Sequence, residues 1–357
     1  MSATSLPIPR PLDDQTEALR HGAAAFRAGR DVVAVGGPDA EAYLQGQLSQ
    51  DVAALAVGAT ADSLLLEPDG KLCALLRVTR TDGQGFVLDV DRGYGDAVVA
   101  RLRRFLLRSK VELEQLAWRD LSLRGAGVEA AAAGLLTVLA ERGVLALPFE
   151  WNGWTGVDLL GPDDVVLAPG DGALPDGITA CGAEAVEACR IVSGIPAMGS
   201  ELTGKTIAAE AGLVERTVNF TKGCYTGQEL VVRLDARGSN VPRRLVGVVG
   251  PAGDETPLTR GMTLHAGEAP PGDGAADDKV MGTLTSAAWS SELGAWVALA
   301  YLHRSVEAPG PVRVRSGDGV GGSRPVRVAL LPLTDTGTGT GTDTGTGTGT
   351  DAQPKPG

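Results

Sequence analysis

A K-G-C-Y-T-G-Q-E segment that begins at Lys222 brings together several groups with chemical potential. The cation of Lys222 and backbone N–H groups beside the two glycines both favour the thiolate form of Cys224, which makes this thiol a candidate nucleophile. Tyr225 offers a flat face to a planar heterocycle, and Gln228 and Glu229 offer an amide and a carboxylate to its edge. The alternative is a small buried cysteine in a tight structural turn, and these residues alone do not decide between the two.

A second segment, G-S-E-L-T-G-K-T at residues 199–206, fits the phosphate-loop pattern G-x-x-x-x-G-K-[ST]. That chemistry needs a buried strand entering the loop and a helix leaving it, so that backbone N–H groups point at phosphates. Gly194 and Pro196 precede the segment, and both disfavour a strand there. The context therefore disfavours a phosphate-loop NTPase, which we keep as an alternative function.

The histidines and cysteines do not form a metal-binding pattern. The three histidines are far apart in sequence, and the four cysteines include no C-x-x-C pair. A zinc site or a histidine-based catalytic triad is therefore disfavoured, and we expect no permanently held metal. So few cysteines in 357 residues are typical of a reducing compartment.

Composition is typical of an acidic globular protein. Lys and Arg total 32 against 44 for Asp and Glu, so the formal net charge is −12, which disfavours extended binding to nucleic acid or to an anionic membrane. No window approaches the roughly 18 consecutive apolar residues of a membrane span, and the N-terminus lacks the apolar core of a secretory signal. We expect a cytoplasmic protein that binds neither nucleic acid nor membrane.

Hydrophobic periodicity predicts the elements that must position these groups. Three apolar runs predict strands, the first two forming a hairpin around a Pro-Asp-Gly turn: 63–66, 72–78 and 86–90. Three segments have apolar residues at helical spacing: 40–48, 94–108 and 183–193. Between residues 111 and 160 we expect only short strands and loops.

The chain is predicted to divide into four parts. Residues 1–30 are predicted to be an extended lead-in, and residues 31–242 an α+β region with two subdomains. From 243 to 332, short apolar runs separated by Gly/Pro turns predict a small β-barrel. Residues 333–357 are mostly a Thr-Gly alternation that cannot bury apolar surface, so we expect a disordered tail.

The eight residues from Lys222 resemble the signature of the YgfZ family, the folate-binding proteins related to the glycine cleavage T-protein (aminomethyltransferase). Further segments resemble the family's pattern, so the likeness extends over residues 30–330. They are G-P-D-A at 37–40, L-Q-G-Q-L at 44–48, L-E-P-D-G-K at 66–71, Arg190 with G-I-P at 194–196, Arg233, M-G-T-L-T-S at 281–286 and A-L-A-Y at 298–301.

The resemblance implies a T-protein-like α+β fold, a multi-domain ring around a central folate pocket with a small C-terminal β-barrel. It implies tetrahydrofolate or a one-carbon derivative as the ligand. It also implies a role in assembling or repairing iron–sulfur clusters in client enzymes, including tRNA-modifying ones, with cluster-assembly proteins as further partners. On this basis Cys224 is the reactive thiol and a transient cluster ligand. The candidate folate-binding residues around it are Lys222, Tyr225, Gln228, Glu229 and Arg233.

The chain departs from true aminomethyltransferases at two places. Their G-Y-T-G-E-D-G-F-E segment helps to bind the pterin, and the local counterpart, G-W-T-G-V-D at 153–158, has Val157 where the first glutamate belongs. Trp154 and Asp158 are further candidate folate contacts, Asp158 in an alternative register. No clear N-A-x-x-x-x-K-D segment is found, although Asp96 lies near its expected place. We therefore predict folate binding without glycine-cleavage activity, with a folate-dependent aminomethyl or one-carbon transferase as the alternative.

Overall fold

The computed structural model describes residues 11–166, 174–236, 240–267, 279–316 and 322–333. These residues form two five-stranded sheets, a closed six-stranded barrel, and the helices that cover and connect them. No helix in these ranges is both long enough and apolar enough to span a membrane.

The first sheet is antiparallel and is covered on one face by two helices. Its strands, in spatial order, are β3 (Thr60–Leu66), β4 (Leu72–Arg80), β5 (Phe86–Asp91), β2 (Arg30–Gly36) and β6 (Glu112–Leu116). The covering helices are α2 (Ala40–Gln47) and α3 (Gly95–Arg103). Because side chains alternate along a strand, Val33, Leu76 and Leu88 face these helices and form one core. Their neighbours Arg77 and Asp89 therefore lie on the opposite face, where they form an ion pair.

The second sheet is covered on both faces. Its strands, in spatial order, are β10 (Thr179–Ala180), β1 (Ala24–Phe26), β7 (Trp118–Arg124), β9 (Trp154–Pro162) and β8 (Leu145–Trp151). Its helices are α4 (Val128–Glu141) and α5 (Asp163–Val166) on one face, and α1 (Leu12–Arg20) and α6 (Ala183–Val192) on the other. Leu123 and Leu159 pack with α4, so the alternation turns Ser122 and Asp158 to the other face.

The C-terminal unit is a closed antiparallel barrel. Its strands, in spatial order, are β11 (Arg243–Val249), β14 (Ala295–His303), β13 (Val280–Ser290), β12 (Thr263–Ala266), β15 (Gly310–Arg315) and β16 (Arg324–Ala329). The last strand pairs with β11 and removes the free edges. Val248, Leu264 and Val328 belong to the apolar core of the barrel.

Three apolar clusters join these units into a ring. Val32 of the first sheet packs against Leu160 of the second. Helix α6, on the second sheet, packs against β13 and β14 of the barrel. Tyr301 of the barrel in turn shares a cluster with Leu64 of the first sheet. This ring of mixed α and β units with a C-terminal barrel confirms the predicted fold class.

A connecting segment between α6 and the barrel completes the ring. It contains a four-residue 3-10 helix (Ala208–Ala211), α7 (Val214–Thr217) and α8 (Gln228–Asp235). The segment contributes to the cluster around Leu64, and α7 contacts β3. The K-G-C-Y loop lies at the start of α8, so the first sheet positions it.

The structure corrects the expectation of an extended lead-in. Residues 12–20 form α1, whose Leu19 is fully buried, and β1 pairs with both β7 and β10. These pieces are ordered because the second sheet buries them, and their own apolar pattern is too short to predict this. Most of the Thr-Gly tail expected at 333–357 lies outside the described residues. Its first residue, Leu333, is buried and donates its backbone N–H to the carbonyl of Val192 at 2.7 Å.

The expectation of only strands and loops between residues 111 and 160 is also wrong. Helix α4 occupies fourteen residues of that stretch, with Val128, Ala132 and Leu139 buried against the second sheet. Four successive alanines give this segment a strong helix propensity. They contribute little to a periodic apolar pattern, which is why that pattern did not predict the helix.

Candidate functional site

A cavity of about 420 Å³ lies where the two sheets and α6 meet. Four aromatic side chains line it: Phe26, Phe149, Trp151 and Trp154. Nine charged side chains also line it: Arg27, Arg30, Arg77, Arg124 and Arg190, with Asp62, Asp91, Asp158 and Glu187. Its size and its mixture of aromatic walls and fixed charges suit a small planar ligand that carries anionic groups.

A chain of buried charges of alternating sign crosses from one sheet to the other beneath this cavity. On the first sheet, the Asp89 carboxylate accepts hydrogen bonds from Nε of Arg30 and Nε of Arg77, with N–O distances of 2.8 and 2.9 Å. Arg77 Nη1 then donates to Asp158 Oδ2 on the second sheet at 2.8 Å. Asp158 Oδ1 lies 2.8 Å from Arg124 Nη2. We call these five residues the buried charge chain.

The buried charge chain keeps Asp158 ionised. Burial alone favours the neutral acid, but Arg124 and Arg77 outweigh it and hold the pKa of Asp158 well below its usual range. Ser122 Oγ donates a further hydrogen bond to Asp158 Oδ1 at 2.7 Å. A fixed negative charge therefore stands at the cavity wall.

Aromatic rings surround the Arg124 end of the chain. The guanidinium carbon of Arg124 lies 3.5 Å from the centroid of Phe149, and the Phe26 and Trp154 rings lie near it as well. Trp154 Nε1 donates to the carbonyl of Leu19 at 2.9 Å, which fixes that indole. Trp154 thus contributes an apolar wall to the cavity, with its polar atom satisfied elsewhere.

Arg190 connects the cavity to the barrel. Its guanidinium donates to Glu201 Oε2 at 3.0 Å and to Ser286 Oγ at 2.7 Å. The pairing of β13 with β14 shifts register between Leu284 and Ser286, an irregularity that re-aims side chains. This contact gives the M-G-T-L-T-S segment a structural role, because its last serine joins the barrel to α6.

The phosphate-loop alternative is wrong. Met198 forms only an isolated bridge with Leu202, so no strand enters the segment 199–206. A four-residue 3-10 helix follows it instead of an α-helix. Glu201, inside the segment, is buried and paired with Arg190, so its side chain is tied to α6 as part of the fold.

The loop that carries Cys224 is held by Lys222 against the end of α2. Lys222 Nζ donates to the carbonyls of Gln45, Leu48 and Gln50 at 2.7 to 2.8 Å. These three bonds use every donor of the ammonium group. Burial lowers the pKa of Lys222 to about 8, with Asp51 acting in the opposite direction.

The rest of the loop is also built into the fold. The Tyr225 ring is buried in the cluster that contains Leu64, and its backbone N–H donates to Gln228 Oε1 at 3.1 Å. Gly227 has φ +83°, and a Cβ there would lie 2.5 Å from the carbonyl oxygen of Glu67, so only glycine fits. Cys224 is exposed, whereas Cys181 and Cys189 are buried.

The structure separates the predicted site residues into two groups. Trp154 and Asp158 line the cavity. None of the other candidates is among its lining residues: Lys222, Cys224, Tyr225, Gln228, Glu229 and Arg233. Lys222, Cys224 and Tyr225 lie in the loop just described. Gln228, Glu229 and Arg233 lie on α8, which follows the loop, and the last two are exposed. Lys222 and Gln228 do not face the cavity because the backbone of the loop and of α2 occupies their polar groups. The role of Cys224 stays a prediction.

Several residues of the cavity wall and of the buried charge chain were missed in the sequence. Arg77 and Asp89 stand inside runs that we interpreted as ordinary apolar strands, and Arg124 ends another strand. A charged residue in a buried strand needs a partner of opposite sign, and this was the available signal. Among the described residues, no group of three or more His, Cys, Asp and Glu side chains is placed to hold a metal ion.

Comparison with known proteins gives relatives for this architecture. Residues 243–335 match the glycine cleavage T-protein C-terminal barrel domain. A structure of the glycine cleavage system aminomethyltransferase T from Bartonella henselae superposes with a TM-score of 0.75, covering 93% of each chain at 21% identity. This likeness shows a shared fold.

Curated relatives include tRNA-modifying proteins and an aminomethyltransferase. The tRNA-modifying protein YgfZ of Klebsiella pneumoniae is 32% identical over 216 residues, which are 58% of this chain and 65% of that protein. The protein of the same name from Serratia proteamaculans is 28% identical over 80% of this chain and 85% of its own length. An aminomethyltransferase of Streptomyces avermitilis is 29% identical over 84% of this chain and 83% of its own length. Together with the fold and the barrel match, these likenesses make the chain similar to the YgfZ proteins and to the glycine cleavage T-protein.

Proposed function

We propose that this chain binds tetrahydrofolate or a one-carbon derivative of it in the cavity between the two sheets. The observation that carries the proposal is the lining of the cavity, in which aromatic walls stand beside an ionised, buried Asp158 and several arginines. The shared fold with an aminomethyltransferase T-protein supports it.

The residues present fit such a ligand. A pteridine ring is flat and matches walls made by Phe149 and Trp154. The glutamate end of a folate is anionic, and Arg27, Arg30 and Arg190 supply cations at the same cavity. Arg124, whose guanidinium pairs with Asp158, adds a further cation to the cavity wall.

We further propose that the protein supports the assembly or repair of iron–sulfur clusters in client enzymes, including tRNA-modifying ones, in the cytoplasm. Two relatives are named as tRNA-modifying proteins. Cys224 is the thiol for this step, because it is exposed on a loop fixed by Lys222. A single accessible thiol suits transient contact with a cluster or a partner better than permanent ligation, which needs several thiolates.

Titration with tetrahydrofolate under anaerobic conditions tests the binding proposal. Calorimetry should show saturable binding. Trp151→Leu, in the cavity wall, should weaken it, whereas Trp296→Leu, in the barrel, should not. Failure of the unmodified protein to saturate would contradict the proposal.

A complementation assay tests the role of Cys224. In a bacterial strain that lacks its own relative, this chain should restore the activity of an iron–sulfur enzyme that modifies tRNA. Cys224→Ala should not restore it, and Cys73→Ala, a partly buried thiol elsewhere, should. Full rescue by Cys224→Ala would rule out the thiol assignment.

A folate-dependent aminomethyl transferase is the second candidate, favoured by the aminomethyltransferase name of the Streptomyces relative. It predicts that the purified chain forms a one-carbon derivative of tetrahydrofolate from an aminomethyl donor. Binding without turnover would favour the first candidate.

A further inference from the structure

An exposed group of arginines lies at the C-terminal end of α3. Residues 101–110 contain no acidic residue and carry several cations: Arg101, Arg103, Arg104, Arg108 and Lys110. Arg103, Arg104 and Arg108 are exposed. Leu107 lies among them and is 88% exposed, more than any other large apolar side chain of the described structure. We call Arg103, Arg104, Leu107 and Arg108 the arginine surface.

The positive charge of the arginine surface is only partly neutralised within the protein. Arg104 pairs with Glu67, but the described part of the chain gives Arg103 and Arg108 no ion pair. The dipole of a helix favours cations in its last turn, which accounts for Arg103. Arg108 lies beyond the end of α3, and the net charge of the whole chain is −12. A positive surface on so acidic a protein indicates an anionic partner.

The arginine surface and the loop that carries Cys224 both pack on the end of α2. Arg101, one turn before Arg104 on α3, donates from Nη1 to Gln47 Oε1 at 3.1 Å. The carbonyl of the preceding residue, Gly46, accepts the backbone N–H of Thr226 at 3.1 Å. The last turn of α3 and the loop are therefore held by consecutive residues of α2.

The turn between β3 and β4 makes a second connection between them. Glu67, which pairs with Arg104, also places its carbonyl oxygen where a Cβ at Gly227 would lie only 2.5 Å away. A specific interface covers roughly 800 Å² on each partner. A protein that covers Cys224 over such an area therefore also meets the arginine surface.

The apolar member of the arginine surface favours a protein partner over an RNA. Leu107 gains from burial against apolar atoms, and protein interfaces combine an apolar centre with a polar rim. Single-stranded RNA is held by cations interleaved with exposed aromatic rings on which bases stack. Phe105 is the aromatic residue of 101–110, and the guanidinium of Arg101 covers its ring at 4.2 Å.

We propose that the arginine surface docks the iron–sulfur client enzyme through an acidic face beside that enzyme's cluster site, which brings the site to Cys224. Iron–sulfur clusters are held by cysteine thiolates, which are anionic, so the face that meets Cys224 carries negative charge. Arg103 and Arg108 supply the complementary charge and Leu107 the apolar contact. The inference rests on the proposed function in iron–sulfur support and adds to it the surface that binds the partner.

Charge reversal of the two unpaired arginines tests this. Arg103→Glu/Arg108→Glu should not restore the tRNA-modifying iron–sulfur enzyme in the complementation assay. Biolayer interferometry with that enzyme, purified, should show an affinity at least about tenfold weaker than that of the wild type at low salt. Arg142→Glu/Arg327→Glu is the matched control, because it changes the net charge equally at exposed arginines on α4 and β16. It should behave like the wild type.

Two further measurements separate the contributions of charge and apolar contact. The affinity of the wild type for the enzyme should fall as salt rises, because salt screens exposed charges. Leu107→Ser should weaken binding while keeping this salt dependence. Alkylation of Cys224 and titration with tetrahydrofolate should be the same in every variant, which shows that the loop and the cavity are intact.

The outcomes distinguish the inference from the proposed function. If the wild type restores the enzyme and Arg103→Glu/Arg108→Glu restores it equally, the docking inference is wrong and the proposed function stands. If the wild type restores nothing, the proposed function fails and the inference fails with it. An equal loss in the control variant would also overturn the inference, because net charge alone would explain it. Fluorescence anisotropy with labelled tRNA tests the other occupant, and tRNA binding that is lost in Arg103→Glu/Arg108→Glu would assign the surface to RNA instead.

Discussion

Arg77 and Asp158 join the two sheets, with Nη1 of the arginine 2.8 Å from Oδ2 of the aspartate. They lie on β4 and β9, 81 residues apart in sequence, and less than a tenth of each residue is exposed. Asp89 pairs with Arg77 on one side and Arg124 pairs with Asp158 on the other, so positive and negative charges alternate. Neither sheet alone could bury these charges at acceptable cost, so the cavity depends on the two sheets being together.

Removing the arginine of this pair should strongly destabilise the fold. Arg77→Met leaves Asp89 and Asp158 each with one cation fewer in a buried setting, and we expect a loss of about 3–5 kcal/mol in the free energy of unfolding. Urea denaturation followed by circular dichroism measures it. Arg119→Met is the control, because Arg119 pairs with Asp163 at a similar 2.8 Å but on the exposed surface. For Arg119→Met we expect a loss of less than about 1 kcal/mol in the free energy of unfolding. Similar losses in the two variants would show that burial does not set the strength of the Arg77 ion pairs.

Stability should fall in acid through Asp158. Its pKa is lowered in the folded state, so the unfolded chain binds a proton first as the pH falls. The stabilisation is complete above the unfolded pKa, about 4, and is lost progressively below it. The wild type should therefore exceed Asp158→Asn in urea midpoint at pH 6, with the difference shrinking between pH 5 and pH 2. A difference that does not change with pH would show that Asp158 is not ionised in the fold.

The strands that carry the Arg77–Asp158 pair could be predicted from the sequence, but the pair itself could not. The strands β4 and β5 and the hairpin between β3 and β4 were predictable, because their apolar runs and the Pro-Asp-Gly turn are local signals. The pairing of Arg77 with Asp158 was not, since it depends on which faces of two separate sheets meet. The ring of sheets and barrel was expected only from the resemblance to the YgfZ family and the T-protein. The comparisons with known proteins support that expectation.

The candidate site was predictable in its parts and not in its arrangement. Asp158 and Trp154 were identified through a motif, and they do lie together at the cavity. Lys222 was interpreted as a group that tunes a thiol or meets an anion. The structure instead gives its ammonium three backbone carbonyls of the α2 end. The residue types do not show which backbone carbonyls at a helix end accept a side-chain donor, because every residue has a carbonyl.

The four cysteines should differ sharply in reactivity. Cys224 is exposed, whereas burial raises the pKa of Cys181 to about 12 and those of Cys73 and Cys189 to about 11. Iodoacetamide at pH 7.5 should therefore alkylate one thiol quickly in the native protein and all four after denaturation, as intact mass will show. Rapid alkylation persisting in Cys224→Ala would contradict this assignment.

Lys222 should couple the thiol loop to pH in the alkaline range. Lys222→Met leaves three carbonyls without their donor, so we expect a loss of about 1–3 kcal/mol in the free energy of unfolding at pH 7 and faster amide exchange over residues 222–227. The folded-state pKa of Lys222, about 8, lies below the ordinary 10.5. Between these values the folded protein releases the proton first, so the unfolded chain binds more protons. The wild type should therefore gain stability relative to Lys222→Met as pH rises from 8 towards 10.

Lys71→Met provides the matched control for this alkaline effect. Lys71 pairs with Asp69 at 2.7 Å, but both side chains are about half exposed. We expect its removal to change the free energy of unfolding by less than about 1 kcal/mol, without a pH-dependent difference near pH 8. A gap between wild type and Lys222→Met that narrows with rising pH would reverse the sign of the coupling. It would mean that the three carbonyls stabilise the ammonium by more than its burial disfavours it.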